Sequence, residues 1–108
     1  DNGLRKIKGI TIPERKKNIR IVYHLYIIFA SQRDALYKYC IKKGIEAKIH
    51  YPIPAYKQKP FSKLRLKKNS FPTTDAHVKK IISFPCDQHL SKKQLDYIIY
   101  TVRKFYEG

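Results

Sequence analysis

The stretch from Ile19 to Ala30 constrains the fold of this chain more than any other. Ile19, Ile21, Tyr23, Leu25, Ile27 and Phe29 would share one face of an extended strand, and Val22, Tyr26 and Ile28 the other. A strand apolar on both faces predicts a central position, with a layer on each side. Residues 31–50 then complete a tight strand–helix–strand unit. Ser31 is the expected N-cap, with Asp34 three residues on to complete a capping-box-like pair. Leu36, Tyr39 and Cys40 fall at helical spacing, Lys42 and Lys43 sit in the last turn, and Gly44 ends it. From Ile45 to His50 the pattern alternates, with Ile45, Ala47 and Ile49 inward. Together these predict a right-handed βαβ unit.

The remaining punctuation is simpler. Residues 51–71 have no periodicity and contain Pro52, Pro54 and Pro60, which marks a long loop of the kind that is either functional or disordered. A short helix is expected after Pro72, and a short strand over Ile82–Phe84 stopped by Pro85. Ser91 and Gln94 make a capping box ahead of Leu95, Ile98, Ile99, Val102, Phe105 and Tyr106 at 3.6-residue spacing. Gly9–Pro13 would add an edge strand. The expectation is a single domain over 1–108: a small two-layer α/β domain, with a short mixed sheet and helices on one face. The second apolar face of the central strand would need a cover, from a longer chain or a second subunit. The opening Asp1-Asn2-Gly3, without Met, is read as a fragment or a processed piece.

Charge and composition exclude more than they assign. A formal charge of +16 attracts polyanions, and 43% hydrophobic content is enough for one core. Between Tyr51 and Ser70 stand Lys57, Lys59, Lys63, Arg65, Lys67 and Lys68 with no acid among them, a local anion-attracting segment. No apolar run is long enough to span a membrane, and no signal-peptide pattern opens the chain. Cys40 and Cys86 lack metal or redox spacing and are expected to be buried, reduced thiols in a cytoplasmic protein. His24, His50, His77 and His89 show no ligand spacing, so no metal site is expected. Nucleophile-elbow and phosphate-loop patterns are absent. A free-standing basic RNA-binding α/β domain remains the alternative, since Tyr51, Tyr56 and Phe61 interleave with lysines. No RNP, KH or helix-turn-helix signature supports it.

The constellation that carries chemistry is His50-Tyr51-Pro52-Ile53-Pro54, at the carboxyl end of a strand and the mouth of the basic loop. Its prolines restrict the backbone around the two donors. With Tyr-His-Leu-Tyr at 23–26, Lys-Gly-Ile-Glu-Ala-Lys-Ile at 43–49, Phe-Pro at 71–72, Ser-Phe-Pro at 83–85 and Leu-Ser-Lys-Lys-Gln at 90–94, the order of blocks resembles the C-terminal part of the DegT/DnrJ/StrS family of sugar aminotransferases. The resemblance runs from about Gly9 to Tyr106. It departs where the family often reads Leu-His-Leu-Gln-Pro, here Ala55-Tyr56-Lys57-Gln58-Lys59, and where a usual Glu is Asp75.

That resemblance implies an aspartate-aminotransferase-type fold (fold type I), pyridoxal phosphate on a lysine, and a homodimer. It implies transfer of an amino group, usually from glutamate, to a keto sugar on a nucleoside diphosphate. The cofactor lysine belongs to a large domain whose motif none of the 18 lysines here matches. The chain is therefore expected to be the small domain, inactive alone, without catalytic or cofactor-binding residues. Substrate binding is expected at His50, Tyr51, Tyr26 and Lys48. His50 and the Tyr51 hydroxyl can donate to phosphate oxygens, and the basic loop supplies a positive field.

Overall fold

A computed structural model describes residues 1–64, 66–67 and 70–108. Arg65 and Lys68 of the basic segment, and Asn69, lie outside the described residues. The elements are β1 (Ile10–Thr11), β2 (Tyr26–Ala30), α1 (Arg33–Lys42), α2 (Pro72–Val78), β3 (Ile81–Phe84) and α3 (Lys92–Glu107). The strands form one sheet in the order β1-β2-β3, antiparallel throughout, with Ile10 opposite Ala30 and Ile28 opposite Ile82.

Strand alternation divides the sheet into two faces. Ile28, Ala30, Ile82 and Phe84 turn into a core completed by Leu36 and Cys40 of α1, Ile98 and Val102 of α3, and Leu4, Ile7, Ile45 and Ala47. The opposite face carries Ile27, Phe29, Ile81 and Ser83. There the His77 ring of α2 lies 4.4 Å from that of Phe29. The two-layer α/β expectation therefore holds for α1 and α3, while α2 sits beside the other face.

Three expectations for the secondary structure need correction. The strand foreseen over 19–30 is formed only over 26–30, and Ile19, Ile21 and Val22 are exposed, Val22 at 87%. Tyr23, with φ at 48°, turns the chain just before β2, and the four residues of β3 offer pairing partners only to Tyr26–Phe29. The sheet is antiparallel rather than mixed. Residues 45–50 alternate as expected, burying Ile45 and Ala47, but they join the sheet through a single antiparallel bridge between Lys48 and Ser83. They therefore run in the same direction as β2 with β3 between them, and the crossover does not pair its own two strands.

Capping is the third correction. Gln32, in the left-handed region at φ 52°, precedes α1 without a side-chain cap. Asp34 instead accepts from Arg33 Nε at 2.7 Å, while Arg33 Nη1 donates to the Ile81 carbonyl at 2.8 Å. Ser31 is held from another direction: its carbonyl accepts from the Tyr106 hydroxyl. A side chain at Gly9 (φ 96°) would place Cβ 2.5 Å from Ser31 Oγ and 2.7 Å from the Tyr106 ring, so this crossing of chain and α3 requires glycine.

The α3 cap matches its sequence in full. Ser91 Oγ accepts from Gln94 N, and Gln94 Oε1 accepts from Ser91 N at 2.9 Å. Cys40 is buried, which pushes its thiol up to about 11, whereas Cys86 is exposed, contrary to expectation. Cys86 lies in the irregular segment after Pro85, beyond the last residue of β3, where no layer covers it. Among the described residues no helix is long and apolar enough to cross a membrane.

Candidate functional site

The site is built outward from Ser83. Standing between Ile82 and Phe84, its side chain points away from the core, and the residue is 3% exposed. Its backbone holds Lys48 through two hydrogen bonds, Lys48 N to Ser83 O at 2.9 Å and Ser83 N to Lys48 O at 2.8 Å. Its hydroxyl lies 3.0 Å from His50 Nδ1. One residue of β3 thus fixes both the backbone register of the 45–50 segment and the ring that ends it.

Tyr51 is joined to His50 through a cis peptide and is 69% exposed. Its ring meets that of His50 edge-on at 5.5 Å. Pro54 is buried, and single 3₁₀ turns at Ala55–Lys57 and Lys59–Phe61 carry the loop onward.

His50 borders three depressions. One, of about 280 Å³, includes His24, Glu46, Lys48 and Asp87 in its lining. A second, of about 360 Å³, lies between Tyr37 and Tyr51 beside Lys48. The third and largest of these, about 410 Å³, is walled by Ala55 and Gln58 of the loop and by Thr74 and His77 of α2. Lys48 Nζ pairs with Glu46 at 2.8 Å, which raises the amine's pKa and lowers that of the carboxyl. The positive charge beside His50 is thus partly compensated before any ligand arrives.

Of the four expected substrate residues, the structure brings three together: His50, Tyr51 and Lys48. Tyr26 is elsewhere. Opposite Phe84, it faces the helix side of the sheet and borders an apolar cavity of about 270 Å³ with Leu4, Leu95 and Ile98. Its hydroxyl donates to Asp1 Oδ1 at 2.7 Å, and Arg15 Nε donates to Asp1 Oδ2 at 3.0 Å. Burial raises the Tyr26 phenol's pKa against the opposing pull of Arg15. The site also takes in residues that sequence reasoning does not assign to it: Ser83, Gln58 and Thr74, with His24 and His77, whose spacing in the sequence speaks only against metal binding. Ser83 has one signal, a polar residue inside an apolar strand.

The stacking row suggested by Tyr51, Tyr56 and Phe61 is not assembled as a free platform, because the Tyr56 ring packs on Phe71 at 4.7 Å. Among the described residues no cluster of His, Cys, Asp and Glu is placed to hold a metal ion. Every described lysine is exposed. A cofactor-bearing lysine is normally lowered in pKa by burial or by neighbouring cations, and none of the described lysines is buried.

Comparison with known proteins places this geometry. The chain is 30% identical over 100 residues to the erythromycin biosynthesis sensory transduction protein EryC1 of Saccharopolyspora erythraea, covering 93% of this chain and 27% of that protein. It is 29% identical over 84 residues to the dTDP-3-amino-3,6-dideoxy-alpha-D-galactopyranose transaminase of Aneurinibacillus thermoaerophilus, covering 78% of this chain and 23% of the relative. Among solved structures, DesV of S. venezuelae in complex with a ketimine intermediate superposes with a TM-score of 0.92 at 26% identity, over 99% of this chain and 29% of that one. An aminotransferase from Brucella abortus gives 0.88 at 24% identity, over 99% and 28%. The chain thus spans about a quarter of the length of the relatives it matches. The sequence model of one family matches residues 1–103, a span that runs from ahead of β1 into α3 and takes in the whole His50–Ser83 site. By that match this chain belongs to the DegT/DnrJ/EryC1/StrS aminotransferase family.

Proposed function

We propose that the chain is the C-terminal small domain of a pyridoxal-phosphate enzyme that transfers an amino group, usually from glutamate, to a keto sugar on a nucleoside diphosphate. The parent enzyme is read as a cytoplasmic homodimer. The observation that carries this reading is the His50–Ser83–Lys48 arrangement, at the exit of the 45–50 segment, inside a family match over residues 1–103. The name of one relative, the dTDP-3-amino-3,6-dideoxy-alpha-D-galactopyranose transaminase, supports the substrate class.

The cofactor, bound by the large domain, would supply the electron sink for moving the amino group. The part of this chain is to bind and orient the sugar nucleotide. A Ser83 hydroxyl donating to His50 Nδ1 leaves the ring proton on Nε2, the nitrogen then free to donate to a phosphate oxygen. The exposed Tyr51 phenol adds a second donor. Lys48 and the basic loop provide a field that draws a diphosphate in without fixing its geometry.

The test is kinetic and uses the full-length enzyme. His50→Ala and Tyr51→Phe should each raise KM for the nucleotide sugar about ten- to a hundredfold, the worth of a lost charge-assisted hydrogen bond. The half-reaction with glutamate, which has no diphosphate, should stay nearly unchanged. Equal damage to both half-reactions, or none to either, would assign His50 and Tyr51 to packing alone.

A further inference from the structure

The loop after Pro54 is tied to α2 by four side chains that take no part in the His50–Ser83–Lys48 arrangement. The Tyr56 hydroxyl donates to Asp75 Oδ1, and Lys57 Nζ reaches the same oxygen at 2.9 Å. The Tyr56 ring lies on Phe71 at 4.7 Å, and Lys57 Nζ sits 5.3 Å from the Tyr56 ring centroid. Asp75 is itself anchored in the first turn of α2, its N–H donating to the Phe71 carbonyl at 3.0 Å. Among the described residues, the backbone hydrogen bonds from Lys57 to Leu66 all close within three residues, so they shape the loop without attaching it to anything. Attachment comes from the side chains.

These residues interleave with the cavity wall. Ala55 and Gln58, which line the 410 Å³ cavity, flank Tyr56 and Lys57; Thr74 and His77, which line its far side, flank Asp75. The ties therefore form the outer seam of the same wall.

We propose that Tyr56, Lys57, Phe71 and Asp75 form a clasp that sets the width of this cavity, with Tyr56 and Asp75 as positioning residues for the substrate held at His50 and Tyr51. The proposal rests on the reading of His50 and Tyr51, which both line this cavity, as donors to the nucleotide sugar. The clasp is stable around neutral pH. Its hydrogen bonds hold the Asp75 carboxyl below its ordinary 3.8 and raise the Tyr56 phenol above 10.0 and the Lys57 amine above 10.5. The carboxylate's contribution is thus present above pH 3.8 and lost as pH falls through its lowered value. The contributions of the phenol and amine are lost only as pH rises above about 10.

The experiment uses the full-length enzyme with Tyr56→Phe, Asp75→Ala and the double variant. Tyr56→Phe keeps the ring on Phe71 and removes only the hydroxyl. Each single variant should speed amide exchange over residues 55–61 about fivefold or more and raise nucleotide-sugar KM about three- to tenfold, with kcat held within about twofold. Exchange within α3 should not change, which separates an opened clasp from general unfolding. Because both hydrogen bonds end on Asp75, the double variant should behave as Asp75→Ala alone. Unchanged exchange at 55–61 would overturn the clasp. Faster exchange with unchanged KM would overturn its positioning role. A wild-type enzyme that moves no amino group would overturn the reading of the site, and with it the positioning role, while the exchange data still reported on the clasp.

Discussion

Ser83 occupies the one position of β3 that is both polar and turned away from the core, and two neighbours depend on it. Its hydroxyl fixes the His50 ring and its backbone holds Lys48. Replacing it by Ala keeps the strand and the bridge, but leaves Nδ1 without its partner and the ring free to turn. A neutral hydrogen bond of this kind is worth about 0.5–1.5 kcal/mol. Ser83→Ala in the full-length enzyme is therefore expected to raise nucleotide-sugar KM about two- to tenfold, with the glutamate half-reaction unaffected, as read by steady-state kinetics. The residue scale also shows what local sequence can and cannot place. His50, Tyr51 and Lys48 lie within four consecutive positions, so the chain had to bring them close. Tyr26 is separated from them by α1, and which face it takes is decided by its register opposite Phe84, a non-local pairing.

At the scale of elements, α3 and α1 make a useful contrast. The capping box of α3 lies within four residues and its apolar stripe repeats locally, so both are legible in the sequence, and both are formed. Ser31 and Asp34 present the same local pattern before α1, yet the Tyr106 hydroxyl takes the Ser31 carbonyl and Arg33 takes Asp34. The helix begins after Gln32, in the left-handed region, and Asp34 is held by its own neighbour Arg33, so the pair is never set up as a cap. Ser91→Ala should therefore cost about 1 kcal/mol, read as about fivefold faster amide exchange in the first turn of α3. Ser31→Ala should leave exchange at the start of α1 within about twofold, because its side chain caps nothing there. Similar losses at both helices would contradict this assignment of caps. The overlong strand expected from Ile19 has a different cause. Apolar alternation shows which residues could pair, but the length of β3 decides which do.

At the scale of the molecule, α1 and α3 cover one face of a three-stranded sheet, and the other face carries Ser83, His50 and α2. Ile19, Ile21 and Val22 and the loop residues Tyr51, Ile53 and Leu64 remain exposed, a distribution suited to a domain that works against a larger body. The proposed function divides labour accordingly: this chain would bind and position the nucleotide sugar, and the amino-transfer chemistry would sit on a lysine elsewhere in the parent protein. The direct measurement is to load the full-length protein with pyridoxal phosphate, reduce it with borohydride and map the modified peptide. One stoichiometric pyridoxyl-lysine is expected outside these 108 residues, with only scattered substoichiometric labelling within them. A single stoichiometric label on any lysine between Lys6 and Lys104 would contradict that division.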